Sequence, residues 1–175
     1  MDSYVEQLVP IKKSLYESIL KVSILTAGVV LVLLCAFLFV NGIGGPFKSL
    51  FVLVAVGIGI LSWRLATTYD YEYEYILTNG SIDIDKITAK RSRKRLLSFD
   101  CKNIERFGKY NSKAHANTQY SRRLICCNQG ADSYFAVIRH EGSLILLVFE
   151  PNEKFLKQMA KFMPRSVMQD ALGWN

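Results

Sequence analysis

The residues with the most chemical character form one run, Lys90-Arg91-Ser92-Arg93-Lys94-Arg95, in which five of six side chains are cationic. Such a run suits an anionic partner: a phosphate-bearing surface, a carboxylate face of the same domain, or a nucleic acid. The other reactive residue types are scattered. Cys35, Cys101, Cys126 and Cys127 contain no Cys-x-x-Cys pair, and His115 and His140 have no ligand spacing. Cys126 and Cys127 are adjacent, so on a strand they point to opposite faces and do not easily share a metal. Four buried, reduced, structural thiols are expected, with no metal and no cofactor. No glycine-rich phosphate loop follows a strand, and no nucleophile-and-base pair can be named. Glu74 and Asp85 could form a carboxylate pair, but an ion-paired sheet face explains them more simply. The chain is expected not to be an enzyme.

The elements that carry these residues begin with a segregation of charge. The 175 residues are 50% hydrophobic with a net charge of +7, yet between Val22 and Trp63 the only charged residue is Lys48. This sorting excludes a fully soluble globule, a disordered tail and a disulfide-rich secreted domain. Val22 to Val40 is uncharged, and as a helix it is about 28 Å long, close to the hydrocarbon thickness of a bilayer. Ser49 to Trp63 is shorter, but Lys48 and Arg64 at its ends can extend their stems to the interface. Counted from Phe47 to Ala66 the second helix reaches roughly 30 Å. Asn41 to Pro46 holds three glycines and a proline, which favour a tight reversal. Residues 22–66 therefore read as a two-span helical hairpin. A secretory signal fits poorly: the apolar run is long, starts late, and lacks a small-x-small cleavage site.

Of the 22 Lys and Arg, 18 follow Trp63 and three precede Val22. The positive-inside rule then places both termini in the cytoplasm of a multi-pass cell-membrane (inner-membrane) protein. Ala55, Gly59, Ser62 and Ala66 form a seam of small residues on the second span, suited to close helix packing. Their partner is either the first span or a second copy in a homodimer. Residues 1–21 read as an amphipathic N-terminal helix, firm from about Val9, with Leu8, Ile11, Leu15 and Ile19 on one face.

After the spans, Tyr69 to Tyr75 alternates tyrosine and acid, Asn79-Gly80 is a strong hairpin signal, and Ser81 to Asp85 alternates again. In that register Tyr75 and Leu77 share a face with Ile84 and Ile82, while Glu74 faces Asp85. Like charges opposite each other are destabilising, so a basic partner is expected alongside. The basic run supplies it, as a turn leading into a third strand at 96–99. Further strands are expected at 102–107, 123–128, 134–140 and 143–149, with Glu141-Gly142 as the last turn and 109–121 as a loop. A helix opens near Pro151, carries Phe155, Met159 and Phe162 or Met163, and stops at Pro164. Residues 164–175 read as a short tail.

Seven short strands followed by one amphipathic helix resemble the pleckstrin-homology-like (PH-like) fold, a partly open barrel of two antiparallel sheets plugged by a C-terminal helix. A two-span hairpin followed by Tyr75-Ile76-Leu77-Thr78, Ile82-Asp83-Ile84, a basic turn, Leu97-Ser98-Phe99-Asp100 and Ile104 resembles the bacterial PH-like membrane proteins. The order is also similar to a family of two-span proteins from anaerobic Gram-positive bacteria, from which no activity can be carried over. The implied fold class is a membrane α-helical hairpin plus a mostly-β PH-like domain over residues 69–163.

Some pleckstrin-homology domains use a basic hairpin to hold an anionic headgroup, which makes Lys90, Arg91, Arg93, Lys94 and Arg95 candidate lipid-binding residues. Each cation near an anionic leaflet can contribute about 1 kcal/mol. Alternatively these residues neutralise Glu72, Glu74, Asp83 and Asp85. A nucleic-acid patch is disfavoured, because the run lacks an aromatic stacking platform. The function expected is a membrane-anchored binding or scaffold module that recruits a protein partner, with anionic-lipid contact. The alternative is a non-catalytic subunit of a membrane enzyme or transporter complex.

Overall fold

The computed structural model describes residues 3–112, 115, 118–128 and 133–172, with side chains to 168. The chain divides into two compact units, Met1–Ile11 with Glu72–Ile87 and Arg93–Asn175, and Lys12–Tyr71 with Thr88–Ser92.

The second unit is built on α1 (Leu15–Val40) and α2 (Leu50–Thr67), joined by a 3-10 turn at Gly45–Phe47. Two segments, Leu15–Val40 and Gly45–Thr67, are long and apolar enough to cross a membrane. Their outward residues, among them Leu33, Phe37, Leu53 and Ile60, are exposed. The helices touch along a narrow stripe. Gly28 of α1 lies so close to Ser62 that an added Cβ would sit 2.3 Å from the serine hydroxyl. Ser62 of the expected seam meets α1 in this way, while Ala66 is buried and Ala55 half-buried. Gly59 is outside the close contact: it is exposed, and an added Cβ would meet nothing within 4 Å.

Past α2, Asp70 pairs with two lysines. Lys13 pairs with its carboxylate, and Lys21 Nζ lies 2.7 and 3.0 Å from its two oxygens. The hydrogen bond from Lys13, then that from Lys21, holds the Asp70 carboxyl below its ordinary value. The Asp70 carbonyl accepts from Ala89 N–H at 2.6 Å, which anchors the turn 88–92.

The first unit holds two four-stranded sheets, with strand order β1-β2-β3-β4 and β5-β7-β8-β6. The strands are β1 (Tyr4–Pro10), β2 (Tyr71–Thr78), β3 (Ser81–Thr88), β4 (Ser92–Asp100), β5 (Ile104–Lys109), β6 (Arg122–Ile125), β7 (Tyr134–His140) and β8 (Ser143–Phe149). The turn between β2 and β3 has Asn79 and Gly80 at φ 49° and 90°, the left-handed pair that the dipeptide favours. Glycine is required there twice over, since a Cβ at Gly80 would also meet the Phe162 ring at 2.9 Å. Tyr75, Leu77, Ile82 and Ile84 are all buried in one core.

Residues 4–10 are a strand, not the start of the expected N-terminal helix, and α1 begins only at Leu15. β1 pairs antiparallel with β2, Val5 opposite Leu77 and Val9 opposite Tyr73. Val5 and Val9 are four residues apart, a spacing that fits one face of a helix and one face of a strand alike. The free edge of β2 decides for the strand. Pro10 is tolerated because β1 is an edge strand that ends there. The strand count is therefore eight among the described residues, not seven.

Two further differences follow from tertiary pairing. β6 runs parallel to β8, Arg122 opposite Ile145. Residues 165–172 form α4 (Arg165–Leu172), not a tail, with Val167 buried in the main core. The expected helix is α3 (Glu153–Ala160), capped by Asn152, whose side chain accepts from Phe155 N–H at 2.8 Å. Phe155 and Phe149 meet the Tyr75 ring edge-on, at 6.1 and 5.7 Å between centroids. The Tyr75 hydroxyl donates to the Cys126 carbonyl, so one buried side chain ties β2 to the end of β6.

Two measurements test this packing. Val5→Asp buries an unpaired charge and is expected to cost about 3–5 kcal/mol of stability in the purified full chain; a surface helix at 4–10 would leave its melting temperature unchanged. Gly28→Val overpacks the helix contact and should cost about 1–3 kcal/mol, while Gly59→Val should change stability by less than about 0.5 kcal/mol. Equal effects at the two glycines would refute the close contact at Ser62.

Candidate functional site

The basic run is divided between the two units. Lys90 and Arg91 fall in the second unit and Arg93, Lys94 and Arg95 in the first. The run is mostly strand rather than turn, because β4 starts at Ser92. Arg93 and Arg95 lie along the polar face of the first sheet. Arg93 Nη2 donates to Glu74 Oε1 at 2.8 Å, and Arg95 lies 3.0 Å from both Asp85 and Asp83. Ser98 donates to Asp83 at 2.6 Å. Leu97 and Phe99 meanwhile turn into the core, so simple alternation does not hold between Arg95 and Leu97.

Glu74 and Asp85 are each only 2% exposed. Buried carboxylates need cations or hydrogen-bond donors, and the two arginines provide them. Arg93 leaves one gap: it comes within 2.8 Å of Glu74 Oε2, but that oxygen has no well-aligned donor. Burial first, and a hydrogen bond with the Glu6 carboxyl second, push the Glu74 carboxyl above its ordinary value, against the pull of Arg93. Glu6 is held below its ordinary value, chiefly by the Tyr4 hydroxyl, which donates to it at 2.6 Å. Tyr4 and Glu6 are part of this network because β1 is a strand. The helical reading of residues 1–21 hid them, because Val5 and Val9 fit one face of a helix as well as one face of a strand.

The rest of the run makes no such pairs. Among the described residues no carboxylate pairs with Lys90, Arg91 or Lys94. Arg91 instead donates to the Thr67 hydroxyl at 2.8 Å and lies 4.9 Å over the Trp63 ring.

His115 and the cysteines are buried. His115 is buried, 4.2 Å from the Phe135 ring and stacked on Tyr110, with Nδ1 2.9 Å from the Tyr120 hydroxyl. Burial, then Arg106 and Arg123, lower its pKa. All four cysteines are free and buried. Burial pushes Cys101 and Cys126 up to about 12, which makes both thiols inert at neutral pH. Among the described residues no cluster of His, Cys, Asp and Glu is placed to hold a metal.

The chain thus combines two sheets and C-terminal helices with two long apolar helices inserted between β1 and β2. A family described as "Bacterial PH-like domain (DUF6106)" matches residues 1–169. The chain belongs to this bacterial PH-like family. No curated protein and no solved structure matches it. The family match spans the apolar helices as well as the sheets. In this PH-like protein the polycationic run is divided between neutralising an acidic sheet face and positions left unpaired by acids.

The buried carboxyl gives a pH test. Folding raises the Glu74 pKa, so the protonated form contributes stability that is complete below the ordinary value of 4.5. That contribution is lost as the pH rises through the higher folded value. The melting temperature of Glu74→Gln should therefore gain on that of the natural chain between about pH 4 and about pH 7. A difference that narrows over this range would show that the Arg93 pairing, and not burial, governs Glu74.

Proposed function

We propose that this protein is a membrane-anchored binding module. α1 and α2 cross the cell membrane, both termini lie in the cytoplasm, and the PH-like domain recruits or stabilises a protein partner at the inner face. The observation that carries the reading is the hairpin itself: two helices of spanning length whose large apolar side chains face outward. Leaving such surface in water is unfavourable by about 25 cal/mol per Å². Orientation is supported by the excess of Lys and Arg outside the hairpin turn, where Lys48 is the only cation. A binding role rather than catalysis is supported by the family, since PH-like domains are generally non-catalytic.

Topology can be tested in intact cells. Ile43→Cys, in the turn between the helices, should react with a membrane-impermeant maleimide added outside. A reporter active only in the cytoplasm should work at either end of the chain. Labelling of the Ile43→Cys variant only after lysis would overturn the orientation. A crosslinking pull-down from native membranes should then recover a stoichiometric protein partner; recovery of the chain alone would remove the recruiting role.

A further inference from the structure

We infer that a cleft at the C-terminal end of α2 holds the phosphodiester headgroup of an anionic phospholipid, bound by Arg64 and Arg91. The inference rests on the membrane reading above and names a ligand for one place within it.

The cleft has a volume of about 490 Å³ and lies wholly within the second unit, between the last turns of α2 and the turn 88–92. One wall is apolar, formed by Leu61 and Leu65, which follow each other one helical turn apart. The other is polar, with Arg64, Arg91 and the hydroxyl-bearing Thr68 and Thr88. Among the described residues no carboxylate lines it. Among the described residues the Arg64 guanidinium has no ion-pair or hydrogen-bond partner. Arg91 is held by the Thr67 hydroxyl and the Trp63 ring, which orients its planar fork before any ligand arrives.

The turn that presents Arg91 is costly. Ala89 and Lys90 have φ of 53° and 54°, left-handed values at two positions where neither residue is glycine, asparagine or aspartate. Arg91 N–H donates to Thr88 O at 3.1 Å, and Asp70 O holds Ala89 N–H, so the turn is fastened from both sides.

Two guanidinium charges with no acid beside them call for an anion. They outweigh the roughly half negative charge at the helix C-terminus. A planar fork of N–H donors suits the oxygens of a phosphate. The source of the phosphate is a lipid because the apolar wall is part of the exposed face of α2. Arg64 lies in the last turn of that helix, which is about 27 Å long in all, at the end where the hydrocarbon gives way to headgroups. Trp63 beside it is an amphipathic ring of the kind favoured at that depth. A choline headgroup would bring a cation against two others, so an anionic lipid is selected. Arg93 and Arg95, bound to Asp and Glu, are not part of the cleft.

The test uses the purified full chain in detergent, titrated with dioleoyl phosphatidylglycerol, dioleoyl phosphatidylcholine or soluble glycerol phosphate, with retained ligand read by native mass spectrometry. The natural chain should retain phosphatidylglycerol in preference to phosphatidylcholine. Arg64→Gln and Arg91→Gln should each weaken phosphatidylglycerol retention roughly fivefold, the factor matching about 1 kcal/mol per cation near an anionic surface. Neither change should alter phosphatidylcholine, and Lys94→Gln should alter nothing. Arg91→Gln also removes an internal contact, so its melting temperature is taken in phosphatidylcholine. If it melts lower, Arg64→Gln alone decides, because Arg64 holds nothing else. Equal retention of the two lipids by the natural chain overturns the inference, as does full phosphatidylglycerol retention by Arg64→Gln. Competition by glycerol phosphate at the lipid's own concentration would make the cleft a free phosphate-ester site and overturn the lipid assignment. Alkaline carbonate extraction of native membranes separates the two readings: release of the chain refutes the anchoring itself, whereas a chain that stays in the membrane without lipid preference refutes only the cleft.

Discussion

The outward surface of α1 and α2 constrains everything else in their unit. Two antiparallel helices can shield only the stripe between them, and here that stripe includes the close contact of Gly28 with Ser62. Leucine, valine and phenylalanine on the remaining faces have no cover from the described chain. Charges are accordingly confined to the ends. Lys48 lies at the turn between the helices, Lys13 and Lys21 pair with Asp70 at the opposite end, and Arg64 lies in the last turn of α2. Asp70 answers two lysines with its side chain and the turn 88–92 with its carbonyl. A single residue thus fixes the point where the chain leaves α2 and the position from which Arg91 is presented.

In the first unit the same accounting of charge operates inside a sheet. β2 and β3 carry apolar residues on the core side and acids on the other, and Glu74 and Asp85 among those acids are buried as well. Removing a carboxylate from water without a partner would be prohibitive, so an adjacent strand must bring cations. β4 does so with Arg93 and Arg95. Density of positive charge in the sequence is therefore a poor guide to what is free to bind. Part of the run is consumed by the fold, while Arg64, distant in sequence and outside the run, lies in the same cleft as Arg91.

Tyr75 performs the corresponding service for the core. Its ring fills the space among Phe149 and Phe155, and its hydroxyl, which cannot be left unpaired at that depth, reaches the Cys126 carbonyl. Gln7 makes a second link of this kind, donating to Glu150 O and accepting from Asn152 N–H, each at 2.8 Å. The N-terminal strand is thereby joined to the start of α3 as well as to β2. These bonds explain how a seven-residue edge strand ending in proline is held firmly.

Residue order alone was enough for whatever depends on neighbours a few positions apart. The two apolar helices, the alternation from 71 to 85, the Asn79-Gly80 and Glu141-Gly142 turns and the Asn152-capped helix were legible because backbone periodicity and turn geometry are local. The expectation that the acids of β2 and β3 would draw arginines was also legible, since facing strands of a tight hairpin fix their own register. Tertiary structure decided the rest. Val5 and Val9 suit a helix or a strand, and only the edge of β2, distant in the chain, selects one. The parallel course of β6 and the docking of α4 have no local signature. The cleft could not be read at all, because Arg64 and Arg91 belong to different elements, and a shared charge environment arises only when folding brings distant segments together.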